Sequence, residues 1–380
     1  MPVRRQVLAA TPAQLADALA DLDAVDSDLV GVDVERADAD RYWRHPALIQ
    51  LGVDGVVVLV DPLDVLDLTP LAAFLRDRTV VLHAMDNDVA PLASVGIDLA
   101  RIEDTAVAAA MLGLPTGLEA LLGQQLGIRF TGDKQRMQRA DWSRRPLPEP
   151  MLEYAATDVA DLGRLWLTLR TGLEAAGRWD WYVQERDAVR ALPPLEERRA
   201  WTRLRGLGRL DRRSQTRARQ LWQVRETLAR DTDTAPGRIV SDRVLLDLAG
   251  APVTDPAQLR RAGVRRQAAR RFGAQLLDAL REGDDAEPVR RRGRRFDDRE
   301  RALVDELRAR RTRVAEQVDL DPGVLCPNRA LEQAVAAAPT TADELRDALD
   351  LRPWQWALLA DEFTDALTDA LRGTPTPASD

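Results

Sequence analysis

Residues 29–35 read LVGVDVE, an apolar run that ends in two acids one residue apart. A continuous apolar run of this length is typical of a strand that is buried on both faces. Because side chains alternate between the faces of a strand, Asp33 and Glu35 are expected to project from the same side. Two carboxylates on one face of a buried strand repel each other and resist desolvation unless a cation lies between them. The pair therefore suggests a divalent metal ion, although many acidic triplets of this kind lie on solvated turns.

The charge of the chain is unevenly distributed. The 380 residues carry a formal charge of −8, and the first 100 residues hold 17 Asp and Glu against 7 Arg. An acidic first third suits metal binding or simple solubility, so any basic face must lie further along the chain. The length allows two or three domains with hydrophobic cores of their own.

The chain has one cysteine, Cys326, and two histidines, His45 and His83. A single cysteine excludes an internal disulfide and a cysteine-based zinc site. Two histidines also exclude a histidine-rich metal site. Any catalytic metal must therefore be held by oxygen atoms, which points to Mg²⁺ or Mn²⁺.

Targeting signals are not apparent in the sequence. No apolar run approaches the roughly 20 residues that a membrane helix needs. The first 23 residues contain acids too early for a secretory signal peptide. We expect a soluble, cytoplasmic protein that does not bind membranes and that acts as a monomer.

Strand and helix patterns alternate in the first half of the chain. Strands are expected at residues 29–35, 47–53, 56–60 and 79–84, with Asp54-Gly55 as a hairpin turn between the second and the third. Helical patterns cover residues 11–22, 68–76, 86–92, 104–112, 118–126 and 151–175. A meander of strands followed by alternating strands and helices predicts an α/β layer fold with a mixed sheet.

From about residue 207 onward the strand patterns disappear and two helical blocks remain. The first block contains APGRIVSD at residues 235–242, and the second contains DPGVLCPN at residues 321–328. Each block then reaches a Leu-Arg pair after a Thr/Pro turn, at residues 259–260 and 345–346. This pattern indicates an internal duplication of a unit of about 75 residues.

Two further acids could join the pair on the first strand. Asp88 follows the strand at residues 79–84 and begins a helix, where it could be a helix cap unless Asp86 or Asn87 fills that role. Tyr154 and Asp158 are four residues apart, so they share one face of a helix. Spacing alone favours an ordinary surface pair here, since Asp161 continues an acidic stripe on the same helix.

Several motifs, taken together, resemble a known family. They are D-x-E at residues 33–35 with LIQL at 48–51, HAMDND at 83–88, DT at 104–105 with AAMLG at 109–113, DWSRRPL at 141–147 and LEYAATDV at 152–159. In this order they resemble the tyrosine (DEDDy) branch of the DEDD 3′–5′ exonucleases, and within it the ribonuclease D family. The two helical blocks resemble the HRDC domain, the second block less closely than the first.

The resemblance implies a fold and a domain organisation. The fold is an RNase H-like mixed-sheet α/β exonuclease domain followed by two small all-α HRDC-like domains. The implied segments are an exonuclease domain at 1–175, a helical linker at 176–208, HRDC at 209–284, a charged linker at 285–296, a degenerate HRDC-like domain at 297–372 and a disordered tail at 373–380.

The resemblance also implies a mechanism. Asp33, Glu35, Asp88 and Asp158 would hold two divalent ions, Mg²⁺ or Mn²⁺, and Tyr154 would position the attacking water together with Glu35. The substrate would be RNA with a free 3′ end, such as tRNA precursors and other structured RNA, and the products would be 5′-mononucleotides. A DNA 3′–5′ exonuclease with the same site and a non-catalytic RNA-binding protein are the alternatives.

Some positions depart from the family or suggest contacts with nucleic acid. Arg36 stands where the family usually has an aromatic residue, so it could contact a phosphate or stack on the 3′-terminal base. Lys134 and Arg136 are candidate phosphate contacts. Residues 260–271 contain no acid and carry six arginines that predict binding to a nucleic-acid backbone: Arg260, Arg261, Arg265, Arg266, Arg270 and Arg271. His83 is interpreted as a packed strand-end residue, and Asp104 as either a family position or a helix N-cap.

Overall fold

The α/β part of the molecule is built on one six-stranded sheet. A computed structural model of the chain describes residues 5–36, 40–128, 137, 140–195, 199–289 and 296–372. The strands are β1 (Arg5–Ala9), β2 (Leu29–Arg36), β3 (Pro46–Val53), β4 (Val56–Val60), β5 (Thr79–Leu82) and β6 (Arg101–Asp104). Their order across the sheet is β1-β4-β3-β2-β5-β6. β3 runs antiparallel to both of its neighbours and the other pairs are parallel, so the predicted mixed sheet is confirmed.

The turn between β3 and β4 has the backbone that the sequence predicts. Asp54 and Gly55 have φ angles of 46° and 83°, and they close a two-residue hairpin in which Val53 pairs with Val56. Positive φ at both central residues is the feature of the hairpin turn that Asp-Gly favours. This turn fixes the register of two buried strands beside β2.

Two strands, β1 and β6, were not predicted from the sequence. Both lie at the edges of the sheet, where each pairs with a single neighbour. The edge strand β6 reads RIED and β1 reads RQVLA, so neither has the continuous apolar run of a central strand. Partial exposure at an edge permits polar side chains, which is why their pattern is weak.

Helices cover both faces of the sheet. They are α1 (Pro12–Asp23), α2 (Thr69–Arg76), α3 (Val89–Ser94), α4 (Thr105–Met111), α5 (Leu118–Leu126), α6 (Glu149–Val159), α7 (Leu162–Ala175) and α8 (Trp179–Arg190). Helices α1 to α3 share one hydrophobic core with one face of the sheet, and α4 to α8 share another core with the opposite face.

The single helix predicted at residues 151–175 is wrong, because the chain forms two helices there. The helix α6 ends at Val159 and α7 begins at Leu162, with Asp161 at φ −118° between them. The break lies where the Val159 carbonyl oxygen packs onto Gly31 and Gly52 of the central strands. Packing on the sheet therefore decides the end of the helix, and the local sequence contains no sign of it.

The rest of the described chain is helical. The helices are α9 (Arg212–Asp231), α10 (Pro236–Ile239), α11 (Asp242–Gly250), α12 (Pro256–Arg261), α13 (Arg266–Asp285), α14 (Asp298–Gln317), α15 (Pro322–Leu325), α16 (Asn328–Ala336), α17 (Ala342–Leu349) and α18 (Pro353–Arg372). We call α9–α13 the first repeat and α14–α18 the second repeat. Residues 290–295 of the predicted charged linker and the predicted tail at 373–380 lie outside the described residues.

Buried arginines show that the two repeats are built alike. Arg225 donates to the Val240 carbonyl oxygen at 3.2 Å and to Asp242 Oδ1 at 2.6 Å. Arg311 donates in the same way to the Cys326 carbonyl oxygen at 2.6 Å and to Asn328 Oδ1 at 2.8 Å. Donors and acceptors of the second repeat all lie 86 positions after those of the first, so these positions of the two repeats are equivalent.

The repeats contact the α/β part at different places. In the first repeat, Asp233 accepts hydrogen bonds from the backbone N–H groups of Tyr42 and Trp43, which lie between β2 and β3. In the second repeat, Trp354 stacks on Trp181 of α8 with ring centroids 4.9 Å apart. Among the helices that the structure describes, none is long and apolar enough to cross a membrane.

Candidate active site

The five residues that the sequence predicts as catalytic line a single cavity. This cavity of about 390 Å³ lies at the carboxyl ends of β2 and β5, beside α6. Its lining includes the carboxylates and the phenol named from the motifs: Asp33, Glu35, Asp88, Tyr154 and Asp158. Segments that are distant in the sequence are therefore brought together at the carboxyl ends of β2 and β5.

Three of the carboxylates lie close enough to share one ion. One oxygen atom each of Asp33, Glu35 and Asp158 lies within 4.8 Å of the other two. The alternation along β2 places Asp33 and Glu35 on the face that α6 covers, and α6 carries Asp158. Glycines at positions 31 and 52 permit the approach of α6, since a Cβ atom on Gly31 would lie 2.7 Å from the Val159 carbonyl oxygen.

Asp88 completes the acidic lining of the cavity. It stands at the N-cap position of α3 but makes no side-chain cap hydrogen bond, so its carboxylate is not used to begin that helix. Asn87 instead donates from Nδ2 to the Ala84 carbonyl oxygen at 3.2 Å. The Asp88 side chain is almost fully buried and lies outside the trio whose oxygens meet within 4.8 Å.

The electrostatics of the cavity fit a bound cation. Burial, then the charges of Asp33 and Asp158, raise the pKa of Glu35 from 4.5 to about 9. Burial and the charge of Asp33 also raise the pKa of Asp88 well above its usual range. Carboxylates that resist ionisation together are the donor set that a divalent cation stabilises, because the cation offsets both repulsion and desolvation.

Tyr154 acts in this site as a hydrogen-bond donor. Burial, followed by the charge of Asp158 and a hydrogen bond to that carboxylate, raises the pKa of Tyr154 above its usual range. The Tyr154 ring packs against Trp142 with centroids 6.3 Å apart, which fixes its position over the cavity. The phenol stays protonated at neutral pH, so it can orient a water molecule but cannot remove its proton.

Asp104 has a positioning role that the sequence only partly indicates. It is fully buried, and it caps α4 by accepting from the backbone N–H groups of Ala106 and Val107. It also accepts from the N–H groups of Ala84 and Met85, in the turn that leads to Asp88. Ala84 has a φ of 63°, a conformation that is costly without such support. An acid directly before a helix was the available signal, and the second pair of bonds was not predictable from it.

Arg145 lies in the DWSRRPL motif, whose sequence predicts no separate role for it. The structure places its guanidinium against the buried carboxylate of Asp61, with Nη2 2.7 Å from Oδ1. The same Nη2 atom donates to the Ala47 carbonyl oxygen at 2.6 Å. Arg145 therefore ties the segment before α6 to the ends of β3 and β4.

The other candidate residues lie in different places. Arg36 and His83 line the cavity, and His83 Nδ1 lies 2.9 Å from Thr105 Oγ1. Lys134 and Arg136 lie outside the described residues. The six arginines of residues 260–271 are all exposed on α12, α13 and the turn between them, and they do not line the cavity.

Comparison with known proteins gives the class of this chain. A family model described as 3′–5′ exonuclease matches residues 7–174, and the HRDC domain model matches residues 214–280 and 300–367. The structure of Escherichia coli RNase D, described as an exoribonuclease involved in structured RNA processing, has a TM-score of 0.72 at 24% identity. It covers 97% of this chain and 99% of its own, which shows a common fold. The fold and the site thus define a 3′–5′ exonuclease with two HRDC domains.

Relatives of higher identity define the family. Ribonuclease D of Granulibacter bethesdensis is 32% identical over 325 residues, which cover 81% of each chain. Ribonuclease D of Gluconacetobacter diazotrophicus is 30% identical over 352 residues, which cover 88% of this chain and 86% of that one. The chain belongs to the ribonuclease D family and is a 3′–5′ exoribonuclease. The resemblance and the fold class predicted from the sequence are confirmed, and metal dependence is a property of this exonuclease family.

Proposed function

We propose that this protein removes 5′-mononucleotides one at a time from the 3′ end of RNA, with two divalent ions held by its four cavity carboxylates. The observation that carries the proposal is the meeting of Asp33, Glu35 and Asp158 within 4.8 Å, beside Asp88, in one cavity. Oxygen-only donors suit Mg²⁺ or Mn²⁺. We also propose that the protein acts as a monomer.

Each residue of the site has a distinct task in the hydrolysis. Bound divalent ions supply a more acidic attacking water and stabilise the charge on the leaving 3′-oxygen. The phenol of Tyr154, held protonated by burial and by Asp158, donates a hydrogen bond that orients this water. Glu35, which belongs to the same cavity, accepts a hydrogen bond from the water on the side of the carboxylate cluster.

We further propose that tRNA precursors and other structured RNAs are the substrates. Membership of the ribonuclease D family and the paired HRDC domains support an RNA substrate. The test uses a 5′-labelled tRNA precursor with a short 3′ trailer, beside a DNA of the same sequence, in Mg²⁺ and in EDTA. A ladder of 3′-shortened RNA that disappears in EDTA is expected, with 5′-mononucleotides as the soluble product. Faster shortening of the DNA would overturn the substrate class.

The first repeat provides a basic face that we propose holds the RNA backbone. Its six arginines are exposed, and none of them forms an ion pair with another residue in the described part of the chain. Unpaired arginines on one surface bind phosphates without reading sequence.

The second repeat uses the corresponding surface for a different purpose. The positions equivalent to Arg260, Arg265 and Arg270 are Arg346, Leu351 and Trp356. Leu351 and Trp356 are partly buried against a hydrophobic core that the second repeat shares with α8, and Arg346 forms ion pairs with Asp343 and Asp347. The arginines of the first repeat are exposed at the equivalent positions, which supports the first repeat as the RNA-binding one.

Salt dependence tests this assignment. Charge reversal of Arg265 and Arg266 to Glu is expected to weaken RNA binding. The magnitude of the slope of log K against log salt concentration should also fall, because one or more phosphate contacts are lost. Arg346→Glu, at a position already neutralised by neighbouring acids, is the matched control and should leave the slope unchanged. An unchanged slope in the double variant would remove this face from the binding site.

A further inference from the structure

Arg36 lines the cavity at the point where the pairing of β2 with β3 becomes irregular. Alternation along β2 would put Arg36 on the same face as Val34, which packs in the core on the other side of the sheet. The pairing of β2 with β3 shifts at this point, because Glu35 pairs with Leu48 whereas Arg36 pairs with Pro46. Such irregularities increase the local twist and redirect side chains beside functional sites. Arg36 lines the same cavity as Asp33 and Glu35, and Val34 also reaches its lining.

Arg36 is the basic group of the acid cluster. Among the described residues that line the cavity it is the single arginine or lysine, and its Nη1 atom is buried. The carboxyl groups of Asp33, Glu35, Asp88 and Asp158 line the same cavity, so the guanidinium charge lies in one cavity with all four of them.

A guanidinium in this position has a predictable effect on a divalent ion. Arginine stays charged at every accessible pH, so its charge is a permanent feature of the cavity. The guanidinium stabilises carboxylates that would otherwise repel one another, and it repels any dication that approaches the same oxygens. The two effects act in opposite directions on the metal-free and metal-bound protein.

We propose that Arg36 is a resident counter-ion of the acid cluster, which holds the carboxylates in place without metal and weakens their affinity for divalent ions. This inference rests on the proposed metal site. As a consequence, filling the site requires a higher concentration of divalent ions than the same four carboxylates would require without Arg36.

The test measures Mn²⁺ binding to the full-length protein by calorimetry after removal of metal with a chelator. Arg36→Gln, which removes the charge and keeps much of the length, is expected to bind Mn²⁺ on the order of tenfold more tightly than the wild type. Arg36→Lys keeps the charge and should bind as the wild type does. Arg346→Gln, at an exposed position of the second repeat that does not line the cavity, is the control for removal of a positive charge elsewhere and should leave the Mn²⁺ affinity unchanged.

Two further measurements separate the possible failures. Without metal, the Tm of Arg36→Gln should be lower than that of the wild type. Saturating Mn²⁺ should raise the Tm of the variant by more than it raises the Tm of the wild type. Equal or weaker Mn²⁺ binding by Arg36→Gln would overturn the counter-ion role. If the single variant Asp158→Asn binds Mn²⁺ as tightly as the wild type does, the proposed metal site is wrong, and the role of Arg36 is wrong with it.

Discussion

The ionisation of Glu35 is strongly altered by its surroundings. Its pKa of about 9 in the metal-free site is far above the usual 4.5, because the carboxyl is buried beside Asp33 and Asp158. Since the folded state binds the proton more tightly than the unfolded state, stability is present at low pH and is lost as the pH rises from about 4.5 to 9. Metal-free protein should therefore show a falling Tm across this range.

The variant Glu35→Gln checks this pH dependence. Its Tm should fall less steeply with pH than that of the wild type, while Asp88 retains a share of the effect because its pKa is also raised. Thermal unfolding of chelator-treated protein at a series of pH values provides the measurement. Equal slopes for the two proteins would contradict the environment described for Glu35.

Asp104 supports the site without lining the acid cluster. In Asp104→Asn an amide replaces one of the two acceptor oxygens, so that one of the four backbone N–H groups meets a donor. We expect a loss of about 1–3 kcal/mol in the free energy of unfolding, together with weaker Mn²⁺ binding because the turn before Asp88 is disturbed. Asp255→Asn is the matched control, since Asp255 caps α12 by accepting one hydrogen bond from the backbone N–H of Gln258 and does not line the cavity. Equal losses for both variants would show that Asp104 is a simple helix cap.

The residues differ in how far the sequence could predict them. The alternation rule sufficed for Asp33 and Glu35, because β2 is regular up to Glu35. It is not sufficient for Arg36, because the pairing of β2 with β3 shifts its register between Glu35 and Arg36. The second pair of hydrogen bonds at Asp104 depends on the turn at Ala84 and Met85, about twenty residues away, and local sequence does not encode such a contact.

At the scale of elements, the approach of α6 to the sheet decides whether the site can form. A Cβ atom at Gly52 would overlap the Val159 carbonyl oxygen at the end of α6. Gly52→Ala should therefore displace α6, which carries Asp158, and should cost about 1–3 kcal/mol of stability together with most of the activity. Gly237→Ala, where a Cβ atom would meet open space, is the matched control and should be neutral. Full activity of Gly52→Ala would contradict this account of the α6 packing.

The elements that the sequence missed share one physical reason. β1 and β6 are edge strands, and the end of α6 is set by contact with two glycines of the sheet. In each case the deciding interaction is tertiary, whereas the patterns read from the sequence are local. The central strands and the long amphipathic helices were predictable because burial imposes its period on their own residues.

At the scale of the whole molecule, the second repeat is joined to the α/β part through α8. Trp354 stacks on Trp181, and its Nε1 donates to Glu185 at 2.9 Å. In Trp354→Ala we expect the free energy of unfolding to fall by about 3–5 kcal/mol. Hydrogen exchange in α8 and α18 should become faster. Leu371→Ala, at an exposed position of α18, is the control for the helix itself. Unchanged exchange in α8 of the Trp354 variant would show that this contact does not hold the repeat.

The α8 contact also connects the second repeat to the active-site turn. The Tyr182 hydroxyl donates to Glu103 at 2.5 Å and accepts from the backbone N–H of Asp104 at 2.9 Å. Asp104 in turn holds the turn before Asp88. A series of contacts therefore runs from the second repeat through α8 and Asp104 to the turn before Asp88.

The central claim is that the carboxylates of one cavity carry out 3′–5′ hydrolysis of RNA. Single-turnover shortening of a 5′-labelled oligoribonucleotide in Mg²⁺ tests it most directly, with Asp158→Asn and Asp161→Asn compared with the wild type. Asp161 is the matched control, because it lies three residues further on, forms an ion pair with Arg164 and does not line the cavity. We predict that Asp158→Asn, folded as the wild type, is slower by roughly a thousandfold or more, whereas Asp161→Asn stays within about tenfold. An Asp158→Asn rate within about tenfold of the wild-type rate would contradict the assignment of this cavity as the active site.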